Sequence, residues 1–225
     1  LLPTMHSLAM FIEERLTMGR LMLVGHMDKK EGAYAKSAPK LISKQLYNRI
    51  SATDIRRDWW DPSDKESPYV SKKFSFANVA SFLGDYIYMR VEEMYFIEAE
   101  AKAHENLGEG IRLLNEFMNN YRIVGGGYDC TNMSSSVENF TNELMLQKRI
   151  EFWGEGIVMF DMKRLDMSTR RGYVGTNSPA SYRLNTEGRA PYWNFVISRG
   201  ETQNNPVIAT QNNPDPSQTV KPWNG

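Results

Sequence analysis

The chain has 225 residues, 27 acidic and 27 basic, with 41% hydrophobic and 12% aromatic residues. This balance excludes the long-range positive field that attracts phosphate backbones or acidic lipids, so nucleic acid is not an expected partner, and the apolar content excludes a disordered chain. The single cysteine, Cys130, excludes an intrachain disulfide, and no apolar run reaches the roughly 18 residues of a membrane span.

The chain begins abruptly at Leu1-Leu2-Pro3 and enters a helical pattern within a few residues. We expect a cut there that has removed any export signal or lipid-attachment cysteine. Over residues 7–24, Leu8, Phe11, Ile12, Leu16, Met22 and Leu23 recur at helical spacing, with Glu13, Glu14, Thr17 and Arg20 on the other side. From 25 to 84 the periodicity fades into Lys, Ser, Asp, Pro and aromatic residues, which predicts irregular structure with short helical or extended pieces. The basic pairs Arg56-Arg57 and Arg170-Arg171 are too short for a polybasic patch and read as solvated surface.

Residues 85–104 give the strongest helical pattern. Ile87, Val91, Met94, Tyr95 and Ala99 share one face, and Phe96, Ile97, Ala101 and Ala103 widen it nearly all the way round, which predicts burial on several sides. A second helix is expected over 109–122, with Gly108 in the connection, completing a helical hairpin. Glycines 125–127 and serines 134–136 mark a loop, after which Thr141 is the expected N-cap of a helix ended by Gly154. A fourth helix over about 155–165 closes a second hairpin. After Thr169 the composition predicts loops. The fold class expected is mainly α, with tetratricopeptide-like hairpins at about 85–122 and 141–165 and long irregular loops packed over them at 25–84 and 169–225.

The carboxylates Glu92, Glu93, Glu98, Glu100, Glu151 and Glu155 invite a two-carboxylate glycosidase reading. At 100° per residue, however, Glu98 and Glu100 project about 200° apart and cannot flank one bond. Arg149 falls inside an apolar arc of Met145, Leu146, Ile150, Phe152 and Trp153, Arg122 lies within the preceding hairpin's stripe, and Glu98 lies among Val91, Met94 and Tyr95. Buried charges need partners, so these groups should meet one another or backbone acceptors, and truncating Arg149 should cost much stability. Asp161 and Arg164 are spaced for an ion pair.

His6, His26 and His104 form no zinc pattern, and Asp54, Asp58, Asp61 and Asp64 lack the spacing of a calcium loop. No metal and no cofactor is expected. The glycines at 125–127 lack the Lys-Ser/Thr of a phosphate loop. Aromatic residues outside the helices, Trp59-Trp60, Tyr69, Tyr192-Trp193 and Trp223, are the candidate ligand groups. Flat sugar faces stack on Trp and Tyr while nearby Asp, Asn and Arg bond the hydroxyls. Of these, Trp59, Trp60 and Tyr69 form the candidate site; the competing reading is that they anchor loops to the core.

Residues 90–101, with Arg90, Glu93 and Ala99-Glu100-Ala101, resemble the SusD/RagB family helix R-x-A-E-x-x-L-x-x-A-E-A. Residues 143–164, with Arg149, Glu151, Glu155-Gly156, Phe160-Asp161 and Arg164, are similar to that family's second hallmark, E-R-x-x-E-x-x-x-E-G-x-R-x-F-D-L-x-R. Residues 193–197, Glu201, Asn205-Pro206 and Gln211-Asn212-Asn213-Pro214 resemble its closing P-I-P-x-x-E-x-x-x-N-P-x-x-x-Q-N-P segment. Leu46-Tyr47-Asn48, Asp54-Ile55-Arg56-Arg57 and Lys72-Lys73-Phe74 are similar to the stretch before the first hallmark. Two departures stand out: Val158 replaces the Arg after Glu155-Gly156, and the P-I-P prolines are missing.

The resemblance covers about residues 41–214 and makes the chain the expected C-terminal part of such a protein, longer members having a further N-terminal helical region. It implies a non-enzymatic, surface-exposed outer-membrane lipoprotein that captures oligosaccharide or peptide and passes it to a SusC-like TonB-dependent transporter. The membrane would be met only through an N-terminal lipid anchor outside this chain. A helical-repeat adaptor that binds only protein is the alternative, and a glycan-active enzyme the third reading.

Overall fold

The computed structural model describes residues 27–29, 33–75, 89–214 and 220–224, and the expected helix over 7–24 lies outside them. The chain divides into two compact units, Leu1–Ile150 and Glu151–Gly225.

In the first unit, short elements come before long ones. Helices α1 (Ala33–Ser37) and α2 (Lys44–Tyr47) lead to a 3₁₀ turn (Ile55–Trp59) and an antiparallel hairpin of β1 (Trp60–Asp61) and β2 (Val70–Ser71). Helices α3 (Val91–Glu105), α4 (Leu107–Tyr121) and α5 (Val137–Glu151) follow. The mainly α fold expected from the sequence is what the chain adopts, including short pieces in the irregular 25–84 region. The expected residues 85–88 of α3 lie outside the described residues.

A single residue joins α3 to α4. The backbone N–H of Asn106 donates to Lys102 O at 2.7 Å, closing α3, while its side-chain oxygen accepts from Gly108 N at 3.0 Å, opening α4. An Asn at this position satisfies an orphan donor of the new helix, so Gly108 falls inside α4's first turn and not in a connection. Phe96, Ala99, Glu100 and Ala103 of α3 face Gly110, Leu114, Phe117 and Met118 of α4, all buried. The Phe96 and Phe117 rings meet edge-on at 5.1 Å. A methyl at Gly110 would collide with Ala103 Cβ and lie 2.7 Å from the Ala99 carbonyl oxygen, so the missing side chain sets how closely the helices approach.

The helix enclosed on several sides is α5 and not α3. Phe140, Leu144, Met145, Ile150 and Glu151 are at most 1% exposed, whereas Val91, Met94 and Ile97 on α3 are 61%, 55% and 47% exposed. Apolar residues all round a helix are buried only where other elements cover every side, and α4 is the main helical neighbour of α3 among the described residues. Glu98 is accordingly exposed, and Glu100, two residues on, occupies the buried stripe. Helix α5 also starts earlier than expected. The Ser136 hydroxyl accepts from Asn139 N at 3.1 Å, and Thr141, a full turn inside, bonds back to Val137 O at 2.8 Å.

Arg56 corrects the reading of its segment most sharply. Its side chain is fully buried, not solvated, because Asp54 lies beside it and Gln147 of α5 completes its bonding.

The second unit opens on a turn in which Gly154 and Gly156 both take positive φ, +80° and +86°, a conformation costly for other residues. Helix α6 (Val158–Arg164) begins three residues after Glu155 and has only seven residues, shorter than the expected helix over about 155–165. Its Asp161 and Arg164 form the expected pair at 2.8 Å. Beyond it, asparagine side chains stand in for strand pairing. Asn185 Oδ1 accepts from Arg171 N and Gly172 N at 2.9 and 2.8 Å, and Asn185 Nδ2 donates to Gly172 O at 2.9 Å. Asn212 bonds both backbone groups of Ile197, and Asn213 Nδ2 donates to Phe195 O at 2.6 Å. Two short helices, α7 (Arg199–Asn204) and α8 (Pro206–Ala209), interrupt the expected loops.

Gly110→Ala is expected to destabilise the protein by about 1–3 kcal/mol, because neighbouring backbone must move to admit the methyl. Chemical denaturation measures it, and an unchanged midpoint would show that the helices have room to spare.

Candidate functional site

The candidate aromatic residues sit on a platform built from the buried network outward. Asp54 caps the 3₁₀ turn by accepting from Arg56 N at 2.9 Å, and the same carboxylate holds the Arg56 guanidinium, with Nη2 to Oδ2 at 2.6 Å and Nε to Oδ1 at 3.0 Å. Arg56 Nη2 also donates to Gln147 Oε1 at 2.6 Å. Gln147 Nε2 donates to Glu143 Oε1, which the Tyr128 hydroxyl also reaches, each at 2.8 Å. Burial first, then the Glu143 charge, pushes the Tyr128 hydroxyl pKa well above the usual phenol range, so it stays a donor. Residues 53–55 run beside 122–124, with Ile55 N to Arg122 O and Val124 N to Thr53 O both at 2.9 Å. The segment carrying Trp59 is thus bolted to the end of α4 and to α5.

From this anchor the chain enters the β1–β2 hairpin, where Trp60 is paired with Ser71 and Asp61 with Val70. Its loop is closed by side chains. Asp61 Oδ1 accepts from Ser63 N and Oγ at 2.9 and 2.8 Å, and Asp64 Oδ1 accepts from Ser67 N at 2.6 Å and from Lys29 Nζ at 2.7 Å. The Ser63 bonds hold the Asp61 carboxyl below its ordinary pKa, and the Lys29 bond does the same for Asp64. Both carboxylates shape the loop. Among the described residues no group of three or more His, Cys, Asp or Glu is placed to hold a metal.

The three candidate stacking residues divide. Trp60 is 1% exposed and offers no face to a ligand; it belongs to the core, as expected of a residue whose strand partner Ser71 is also buried. Trp59, the preceding residue, is half-buried, with the Lys73 ammonium 4.8 Å from its ring centroid and 5.4 Å from that of Phe74. Tyr69 is half-buried with φ +70°, a strained value for a bulky residue, and its ring meets Tyr47 edge-on at 5.2 Å. The Arg57 guanidinium lies 4.4 Å from the Tyr47 ring centroid and donates to Ile50 O at 2.6 Å. Trp59, Lys73 and Phe74 therefore form one aromatic and cationic cluster, and Tyr69 is held by its neighbours. Lys73 and Phe74 were visible in the sequence only as part of a family-like stretch, because a cation over a ring on the opposite arm of a hairpin leaves no local pattern. In the second unit Tyr192 and Trp193 meet edge-on at 6.4 Å, and the Trp223 backbone N–H donates to Arg183 O at 2.8 Å.

The charges singled out in the sequence divide too. Arg122 pairs with a carboxylate, Glu92 at 3.0 Å and not Glu98, and Arg90 lies 3.7 Å from the same oxygen. Arg149 does not: half-buried on α5, it has no carboxylate partner among the described residues, because the acidic groups nearest in sequence, Glu143 and Glu151, occupy other buried positions on the helix. Phe160 is 68% exposed and Glu93 half-buried, so the hallmark residues do not form one buried cluster.

The described residues of the first unit thus join one helical hairpin to a short, anchored β-hairpin that carries aromatic residues. The SusD family model matches residues 33–218, and the chain belongs to that family. Among solved structures, the chain is similar to a SusD-like carbohydrate binding protein from Bacteroides vulgatus ATCC 8482, with 23% identity and a TM-score of 0.64. The match covers 88% of this chain and 47% of that one, so the chain spans about half the length of that relative. Among curated proteins none matches. No helix among the described residues is long and apolar enough to cross a membrane.

Arg56→Met is expected to cost about 3–5 kcal/mol in chemical denaturation, since it leaves Asp54 buried and uncompensated. Arg56→Lys keeps the charge without the planar fork and should remain clearly destabilised. A Lys variant as stable as the parent would reduce the network to a simple charge pair.

Proposed function

We propose that the chain is a glycan-binding component of nutrient uptake, held at the outer-membrane surface by a lipid anchor and passing oligosaccharide to a SusC-like TonB-dependent transporter. Membership of the SusD family supports the role, and the half-buried Trp59 ring with Lys73 beside it is the observation that carries the ligand class. A pyranose face stacks on an indole, and the ammonium donates to its hydroxyls. Anchoring by the Arg56 network spares the site the entropy of ordering a loop on binding.

Catalysis has little to work with on α3. Glu92 is engaged by Arg122, and Glu98 and Glu100 lie on different faces of the helix, one exposed and one buried. A two-carboxylate hydrolase needs both groups on one open cleft. A protein-binding adaptor remains as a second reading because Val91, Met94 and Ile97 expose an apolar arc on α3.

Affinity electrophoresis against a panel of neutral and acidic polysaccharides separates these readings. Retention of the parent by at least one of them is expected, with Trp59→Ala weakening it about three- to tenfold, the value of one lost stacking contact. Trp60→Ala should instead lose about 3–5 kcal/mol of stability as a large core ring is removed. Retention by no polysaccharide favours the adaptor, and release of reducing ends by the parent would restore the enzyme.

A further inference from the structure

Tyr69 holds a backbone conformation that its side chain disfavours. Its φ of +70° lies in the left-handed region, where a bulky residue is strained and glycine is not. Hydrogen bonds on both sides lock that conformation in: Tyr69 N donates to Asp61 O at 2.6 Å, and Tyr69 O accepts from Ile42 N at 3.1 Å. Strained residues persist where the surroundings over-determine them, and they concentrate at ligand sites. The Tyr69 ring is half-buried and meets the buried Tyr47 ring edge-on at 5.2 Å, so part of it is fixed and the rest faces solvent.

Arg57 shares that support. Its guanidinium lies 4.4 Å from the Tyr47 ring centroid, and its Nη1 donates to Ile50 O at 2.6 Å. Among the described residues no carboxylate pairs with Arg57, and the Ile50 carbonyl takes only one N–H of its planar fork. Half-buried, stacked and held at one end, the side chain has little freedom left to lose when its other donors meet a ligand.

The hairpin ladder sets Tyr69 apart from Trp59. Lys72 N donates to Trp59 O at 2.7 Å, the pairs Trp60–Ser71 and Asp61–Val70 follow, and Tyr69 comes next. Tyr69 is therefore three residues along the ladder from Trp59, about 10 Å at the rise of a strand. One pyranose is too short to touch both positions, and a chain of sugars lying along the hairpin is long enough.

We propose that Arg57 and Tyr69, both seated on Tyr47, form a second sugar subsite, so that the hairpin takes oligosaccharides in preference to single sugars. Tyr69 supplies a stacking ring and Arg57 donates to hydroxyls. The subsite rests on the glycan-binding reading and adds a ligand length to it. It also gives the strained backbone a use: glycine fits that φ better, and what tyrosine adds there is the ring.

Competitive affinity electrophoresis of the full chain tests this in gels of dextran, starch, xylan, pectin and arabinogalactan. Whichever gel retains the parent is challenged with that polysaccharide's own acid hydrolysate, sized into single sugars and tetramers. Tetramers are expected to release the parent at concentrations about tenfold below those the single sugar needs, the gain from linking two contacts. Tyr69→Gly, which suits the positive φ, and Arg57→Met should each bring the two probes within about threefold of one another. Tyr69→Phe, which keeps the ring, and Arg112→Met, on the exposed face of α4, should keep the full preference. If Arg57→Met fails to fold, Tyr69→Gly carries the comparison. Equal competition by both probes in the parent, or a preference that survives Tyr69→Gly, overturns the subsite and leaves the glycan reading standing. Retention of the parent by none of the five polysaccharides removes the glycan reading and the subsite with it.

Discussion

The short segments from 54 to 71 depend on the burial of one guanidinium. Arg56 is 0% exposed, and removing an arginine from water is tolerable only when nearly all its donors are met. Asp54 supplies the charge from two residues away, which needs only the local 3₁₀ turn. Gln147 supplies the remaining acceptor from 91 residues away, which needs the whole helical framework. The interaction couples a local turn to a global arrangement. The short segments from 54 to 71 have too little regular structure to hold their own shape, and they acquire one by being fastened to α4 and α5.

This arrangement explains why so small a hairpin, two residues in each strand, persists where an isolated one would not. Its ladder is extended by bonds outside the strands proper: Lys72 N to Trp59 O at 2.7 Å, Ser71 N to Lys40 O at 2.9 Å and Ile42 N to Tyr69 O at 3.1 Å. The aspartates that might have looked like ligands close its turn. Asn106, Asn185, Asn212 and Asn213 do comparable work elsewhere, each side-chain amide or carbonyl serving backbone groups that have no helix or sheet to satisfy them.

Helix positions were legible in the sequence because 3.6-residue periodicity survives in α3, α4 and α5 whatever packs against them. Which face each helix buries was not. Val91, Met94 and Ile97 look like core by composition, but burial is a property of the neighbours and not of the residue. Arg56 was misread for the opposite reason. A charged pair in a polar stretch resembles surface, and its burial is decided by Gln147, far along the chain. Helical pattern located the charges in the apolar stripes without saying what they meet: Arg122 found Glu92, while Arg149 found no carboxylate among the described residues. At the candidate site, the residue types were readable, and the split between Trp59 and Trp60 was not, since adjacent indoles are chemically identical until a strand assigns them sides.

That split has an evolutionary side. The 3₁₀ turn ends at Trp59 and β1 begins at Trp60, so Trp59 is left half-exposed while Trp60 is held by the core. The two codons therefore sit under different kinds of selection. Substitution at Trp59 changes the surface while the fold tolerates it, and substitution at Trp60 is screened by folding first. Length changes fall most easily in the loop at 62–69, whose turn is set by Asp61 and Asp64 and not by the core.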